Sequence, residues 1–425
     1  MKTRSLVLLG AALLALAGFA RADDWPQWRG PNRDDISREK GLLTEWPKEG
    51  PKLLWTFRDA GSGYSSVAVV GDRLFTMGAD AQQEYLFCLD LKTQAKVWNY
   101  ALGARFNNGN GDGPRATPTV DGNLVFVLTG AGQLVCVNAD SGDKVWACYL
   151  RGAPKGEKDL KGEMQSGWGY SESPLIDGDA LVCTPGGKDA TIVALHKKDA
   201  AAIWKCAVPD GDEAAYASAI VVEAGGVKQY VQFLQKGVVG VDAKTGKFLW
   251  RYDKTAKGSP ANIPTPVAYK EFVYTGASRT GGGLVKVKAD NDKFEAEQVY
   301  FDAGLPTSIG GAVRVGDYLY GTSLAGLLCV EFTTGKEKWK DRSVGPGSLC
   351  YADGRLYLHG ENGEMALVEA TPDGYKERGR FAPPEQPKHP RGQMEKAWAY
   401  PVVADGKLYV RDQGTLWCYD VKAEK

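Results

Sequence analysis

Few residues in this chain have types and spacings that could do chemistry. The three histidines, His196, His359 and His389, lack zinc-ligand spacing with any partner. The Gly-x-Ser-x-Gly turn of a serine hydrolase does not occur. The stretch FNNGNGDGPRATP, residues 106–118, sets Asn108, Asn110, Asp112 and Gly113 at the intervals that open an oxygen-ligand calcium loop. Its twelfth position is Thr119 instead of the bidentate Glu that such a loop needs, so a Gly-rich turn is the plainer interpretation. No helical pattern follows these glycines, which removes a phosphate loop.

Charged and aromatic residues offer binding chemistry instead. Arg115 and Glu172 stand at or just before two short strands, beside Thr117 and Ser173. They could pair across neighbouring elements as a structural tie, or face a ligand together with Trp168 and Tyr170 of GWGYSES. Tyr216, Arg391, Gln393, Trp398 and Tyr400 precede two further strands. Aromatics and Arg clustered at a rim are typical of recognition surfaces, and aromatics at strand starts also serve packing.

The elements that must position these residues repeat. LDLKTQAKVW (89–98), VNADSGDKVW (137–146), LHKKDAAAIW (195–204), VDAKTGKFLW (241–250) and VEFTTGKEKW (330–339) share one internal spacing. In each, Asp90, Asn138, His196, Asp242 or Glu331 stands eight residues before Trp98, Trp146, Trp204, Trp250 or Trp339. Periodic self-similarity of this kind indicates a repeat architecture. Eight small-residue strands, from YSSVAV at 64–69 to AYPVVA at 399–404, are each followed by a tight-turn pair and an alternating apolar strand. The reading is all-β: an eight-bladed β-propeller of four-stranded antiparallel blades over residues 51–425.

The ends support ring closure. LWCYDVKAEK has its Asp420 with no Trp strand after it, whereas PKLLWTFRD near residue 51 has Trp55 with no strand before it. Joining them closes the eighth blade and removes an open sheet edge. Repeats five and seven lack the Trp and carry ADNDKFEAEQ and ATPDGYKERG. They read as blades with a degenerate outer edge, which leaves a seven-blade count as the alternative.

Residues 1–22 read as an export signal. Lys2 and Arg4 precede the apolar run 5–20, and Ala20-Arg21-Ala22 is a small-x-small cleavage site. The run is short for a membrane span, and no Cys follows it to take a lipid. A periplasmic or secreted protein with no membrane span or lipid anchor is expected. Residues 23–50 hold Trp25, Trp28 and Trp46, costly to leave in water, and read as an ordered Trp/Pro-rich extension.

Lys plus Arg equals Asp plus Glu at 52 each among 425 residues, so no nucleic-acid partner is indicated. The 53 glycines suit many short strands joined by tight turns. Cys88, Cys136, Cys329 and Cys418 occupy equivalent strand ends, and Cys148 and Cys206 each follow a repeat Trp by two residues. Repeat spacing holds such positions apart, so buried thiols are expected. One or two bridges, with Cys183 or Cys350 least constrained, are the alternative.

The Asp, Thr-Gly and Trp unit resembles the tryptophan-docking repeat of quinoprotein alcohol dehydrogenase-like propellers, the superfamily bearing the pyrroloquinoline quinone (PQQ) repeat name. The likeness covers nearly all of 51–425, and WPQWRGPNRDDIS is similar to a leader of exported planctomycete-type members. It implies that the turn Asp accepts backbone N–H bonds and that each Trp packs between blades. Two branches share the repeat. Quinoprotein dehydrogenases add vicinal cysteines, a Glu/Asn/Asp calcium set and a catalytic Asp, whereas this chain has no adjacent cysteines. BamB-type outer-membrane assembly propellers are scaffolds without catalysis, anchored by a lipoprotein Cys that is absent here. The expectation is a monomeric, non-catalytic scaffold binding a protein or polysaccharide ligand through its funnel loops, with no cofactor. PQQ with calcium in an oxidoreductase is the alternative, and carbohydrate binding a weaker one.

Overall fold

A computed structural model describes residues 24–109, 111–385 and 396–424. The export-signal residues lie outside them, as do Asn110, Arg391, Gln393 and His389. The described chain forms eight four-stranded antiparallel sheets, which make the eight blades of a β-propeller. Blades one to seven are continuous, spanning 68–104, 119–149, 175–206, 220–252, 267–302, 312–341 and 347–381. The eighth combines Val402–Ala404, Lys407–Asp412 and Thr415–Asp420 with Lys52–Phe57, the strand that closes the ring. Trp55 lies opposite Cys418 in that seam.

The repeat has a physical basis in the outer strand pair. In every blade a register shift in this pair precedes or follows one position, which faces Cys88, Cys136, Ala194, Gly240, Leu284, Cys329, Leu367 or Cys418. Such a bulge steepens the twist and re-aims a side chain, here toward the neighbouring blade. Trp98, Trp146, Trp204 and Trp339 donate their indole N–H to Ala139, Lys197, Ala243 and Thr371 carbonyls of the next blade, at 2.7–3.1 Å. Trp250 donates instead to Gln229 Oε1 of its own blade. At the turn, Asp242 Oδ1 accepts the Lys244 and Thr245 N–H groups, and Asp90 and Asn138 do the same in their blades. Gly246 is required because its φ is +74° and a Cβ there would lie 2.6 Å from the Trp204 ring.

Blades five and seven correct the expectation of degenerate outer edges. In blade five the outer strand Lys293–Asp302 is among the longest, and Tyr300 fills the Trp position. Its hydroxyl donates to Phe332 O at 2.8 Å, as the indoles do elsewhere, and its ring covers Gly335. A longer hairpin puts Tyr300 fourteen residues after Lys286, the residue equivalent to Asp242, and so hides it from an eight-residue pattern.

In blade seven the equivalent position is Gly379, and the ring comes from elsewhere in the chain. Trp46 sits there: a Cβ on Gly379 would meet Trp46 Cβ at 2.6 Å, and Trp46 N donates to Arg378 O. The indole packs against Tyr357 and Phe381, with ring centroids 5.8 and 5.2 Å away. Removing a buried Trp costs transfer energy and leaves a cavity, so Trp46→Ala is expected to lower the unfolding free energy by about 3–5 kcal/mol in urea denaturation. A loss near that of an exposed Trp would contradict the docking role.

All eight cysteines are buried free thiols. Burial pushes Cys88 and Cys136 up to about 12, so they pack as small hydrophobes.

Candidate functional site

The N-terminal segment builds the floor of the site. Trp25 exchanges backbone bonds with Val69, Pro26 accepts from Val120 N, and Asp35 and Ser37 bond the Tyr351 backbone. Residues 24–37 therefore lie against the inner strands of blades one, two and seven. The segment sends two guanidiniums inward. Arg29 pairs with Asp35 at 2.7 Å and donates to Thr265 O and Ala312 O, with both charged side chains at most 1% exposed. Arg33 donates to Ser173 O and Pro174 O, which ties the segment to blade three. Buried charges of this kind need partners at close range, and the partners come from both the segment and the blades.

Glu172 belongs to this core, not to the funnel wall. Its oxygens accept from Thr184 N at 2.8 Å, Thr184 Oγ1 at 3.0 Å and Gln232 Nε2 at 3.1 Å. Burial raises its pKa to about 7, opposed by the Thr184 bonds and the Arg33 charge. Burial lowers Arg33 to about 9, with Glu172 opposing the fall. The Arg115–Glu172 pair weighed from sequence does not form.

A carboxyl whose folded pKa exceeds its unfolded value stabilises the fold below the unfolded value and loses that contribution as pH rises through the folded one. For Glu172 the window runs from about pH 4.5 to about pH 7. Unfolding free energy should fall across it, by on the order of 3 kcal/mol from this group. Glu172→Gln should flatten the profile in urea titrations across that range. An unchanged slope would show that Glu172 is not held as a buried acid.

Above the floor lies a cavity of about 320 Å³. Five of the residues singled out from sequence line it: Arg115, Trp168, Tyr216, Trp398 and Tyr400. Trp28, Tyr64, Ser171, Ile263 and Ile309 complete the wall. The rings come in three pairs. Trp168 stacks on Tyr216 at 5.6 Å, Tyr64 leans on Trp398 at 5.1 Å, and Trp28 meets Tyr400 edge-on at 4.3 Å.

Several polar tips point into the wall. Tyr216 OH donates to Gln165 O, Tyr400 OH to Ile309 O, Trp28 Nε1 to Thr265 Oγ1 and Trp398 Nε1 to Glu361 Oε1. Tyr170 does not reach the cavity: its OH donates to Pro185 O, and its ring packs on Gly132 within the blades. Trp28 was legible only as a costly exposed indole, and Tyr64, Ser171, Ile263 and Ile309 carried no signal apart from standing before inner strands.

Arg115 is the only charged side chain among the described residues lining the cavity. Its guanidinium lies over the Phe106 ring, 4.7 Å from the centroid, and donates to Gly113 O at 2.7 Å and to Gly111 O. Burial lowers its pKa, and Glu84 leads the charges that oppose the fall.

Calcium and PQQ do not fit these residues. Asp112 already accepts from Arg105 Nη2 at 2.9 Å and Asn108 N at 2.7 Å, and Asn108 turns its Nδ2 toward Gly167 O. An arginine bonded to the would-be carboxylate ligand takes the place of a cation. PQQ is a planar tricarboxylate, whereas the described lining offers one cation, no Asp and no Cys. No helix among the described residues is long and apolar enough to cross a membrane.

The family model described as outer membrane protein assembly factor BamB matches residues 39–164 and 157–341. The outer membrane protein assembly factor BamB of Burkholderia pseudomallei is 26% identical over 332 residues, covering 67% of this chain and 80% of that protein. Among solved structures, BamB from Moraxella catarrhalis superposes with a TM-score of 0.59 at 13% identity, covering 88% of this chain and 98% of the other. Quinohemoprotein alcohol dehydrogenase from Comamonas testosteroni gives a TM-score of 0.50 at 14% identity, covering 97% and 82%. At those identities the two structures support the PQQ-repeat propeller fold alone.

Proposed function

The chain belongs to the outer membrane protein assembly factor BamB family, and from that premise we propose that it is a non-catalytic binding scaffold that takes its ligand in the aromatic funnel cavity. The observation that carries this reading is the cavity's composition. Its wall is made of paired aromatic rings with one guanidinium, a surface suited to holding a group by stacking and one charged contact. Carboxyl and imidazole groups, the commonest general acids and bases, are absent from the described lining. The reading places the protein outside the cytoplasm, in keeping with its expected export signal, and the partner is a protein segment or a smaller ligand presented at the funnel mouth.

The dehydrogenase branch gives the opposing outcome. Purified protein mixed with PQQ and calcium is expected to show no cofactor absorbance after desalting, and no dye reduction with alcohols or aldoses. Saturable PQQ uptake with substrate-dependent dye reduction would overturn the non-catalytic reading.

A further inference from the structure

Resting on that reading of the funnel, we infer that the cavity selects a small carboxylate carrying an aromatic or flat apolar body, with its carboxylate on Arg115 and its body against the paired rings.

A sugar needs donors and acceptors spread over the wall. Here four of the aromatic polar tips are bonded away from the cavity, to Gln165 O, Ile309 O, Thr265 Oγ1 and Glu361 Oε1. What remains facing inward is mostly ring, which suits an apolar body. A quaternary ammonium also favours ring faces, but Arg115 lines the same cavity and repels it. A neutral aromatic would fill the space and leave the remaining guanidinium donors desolvated without an acceptor, which is costly.

Arg115 is held ready for an anion. Two of its five N–H donors are bonded to Gly111 and Gly113 carbonyls, and the ring of Phe106 supports its face. It forms no ion pair with a described residue. Glu84, the leading carboxyl in its field, is buried and accepts from Phe106 N at 3.2 Å. The fork therefore keeps donors for a carboxylate while its position is fixed from behind, the arrangement that favours planar bidentate recognition.

The test uses tryptophan fluorescence and calorimetry on the purified protein, since Trp28, Trp168 and Trp398 line the cavity. Indole-3-acetate, indole, choline and cellobiose are the probes. Indole-3-acetate should bind at least about tenfold more tightly than indole, the effect of one charge-assisted bond. Arg115→Gln should bring the two to equal affinity, and Trp168→Ala should weaken both. Arg115→Lys, which keeps the charge and loses the fork, should retain part of the preference and serves if the Gln variant folds poorly.

Equal affinity for indole and indole-3-acetate in the native protein would overturn the inference and leave the funnel reading standing. So would cellobiose or choline binding with the carboxylate silent. Silence from all four probes would overturn the inference without bearing on larger partners of the funnel, whose test is separate.

Discussion

Replacing Asp35 with Ala is expected to lower the unfolding free energy by about 3–5 kcal/mol, the range for removing one partner of a buried ion pair. Arg29 would then keep its carbonyl bonds to Thr265 and Ala312 but lose the carboxylate paired with it 2.7 Å away, in a site where neither side chain is more than 1% exposed. Asp35→Asn keeps the shape and an acceptor while removing the charge, and its loss should be smaller. Burial pushes the Asp35 carboxyl up to about 7, opposed by the Arg29 charge, so urea denaturation at about pH 8, where the carboxylate is ionised, measures both. Because Arg29 sits below Trp28 and Tyr400, the Ala variant should also change the fluorescence of the native state. A stability change below about 1 kcal/mol would mean that the N-terminal segment is not fastened by this pair.

Arg411→Met is expected to cost at least about 4 kcal/mol. The guanidinium is fully buried, and burial lowers its pKa to about 9. It donates to carbonyls of Gln413, Ser65, Met77, Ala60 and Gly61 and to Thr76 Oγ1. Gln413 lies in the same hairpin as Arg411, and the other acceptors belong to blade one and to the loop that follows the closing strand, so one side chain ties the last hairpin to the chain beyond the seam. A methionine of similar length fills the space and leaves several carbonyls without donors, each costing about 1–3 kcal/mol. The expected readouts are a lower urea midpoint and protease cleavage starting near residues 58–66. A variant as stable as the native chain would show that the Lys52–Phe57 strand closes the ring unaided.

Much of the architecture was legible because a propeller blade is specified locally. The turn Asp, its Thr-Gly partner and the Trp eight residues on are tied by one hairpin, and the bulge that aims the Trp recurs at the same place. Tyr300 escaped because six added hairpin residues moved it out of phase, although its bond to Phe332 O does the same work. Trp46 escaped for a different reason: it fills a slot more than 300 positions away in sequence, at Gly379, and no local pattern records such a contact. The site followed the same division. Arg115, Trp168, Tyr216, Trp398 and Tyr400 were found because they precede inner strands. Tyr170 and Glu172 share that location, but at Tyr170 and Glu172 the side chain turns into the blades, to Pro185 O and Thr184. Which way a side chain turns at a strand start depends on neighbouring blades, and the repeat does not encode it.

Ligand binding in the aromatic funnel is tested by comparing the native protein with a Trp168→Ala, Trp398→Ala double variant in a saturation-transfer NMR screen. The library would hold small carboxylates, sugars, ammonium compounds and short peptides, and circular dichroism would establish that both proteins are folded. Saturable binding to the native chain, lost in the double variant, is the expected result. Ligands that bind both proteins equally, or a native chain that binds none of them, would contradict it.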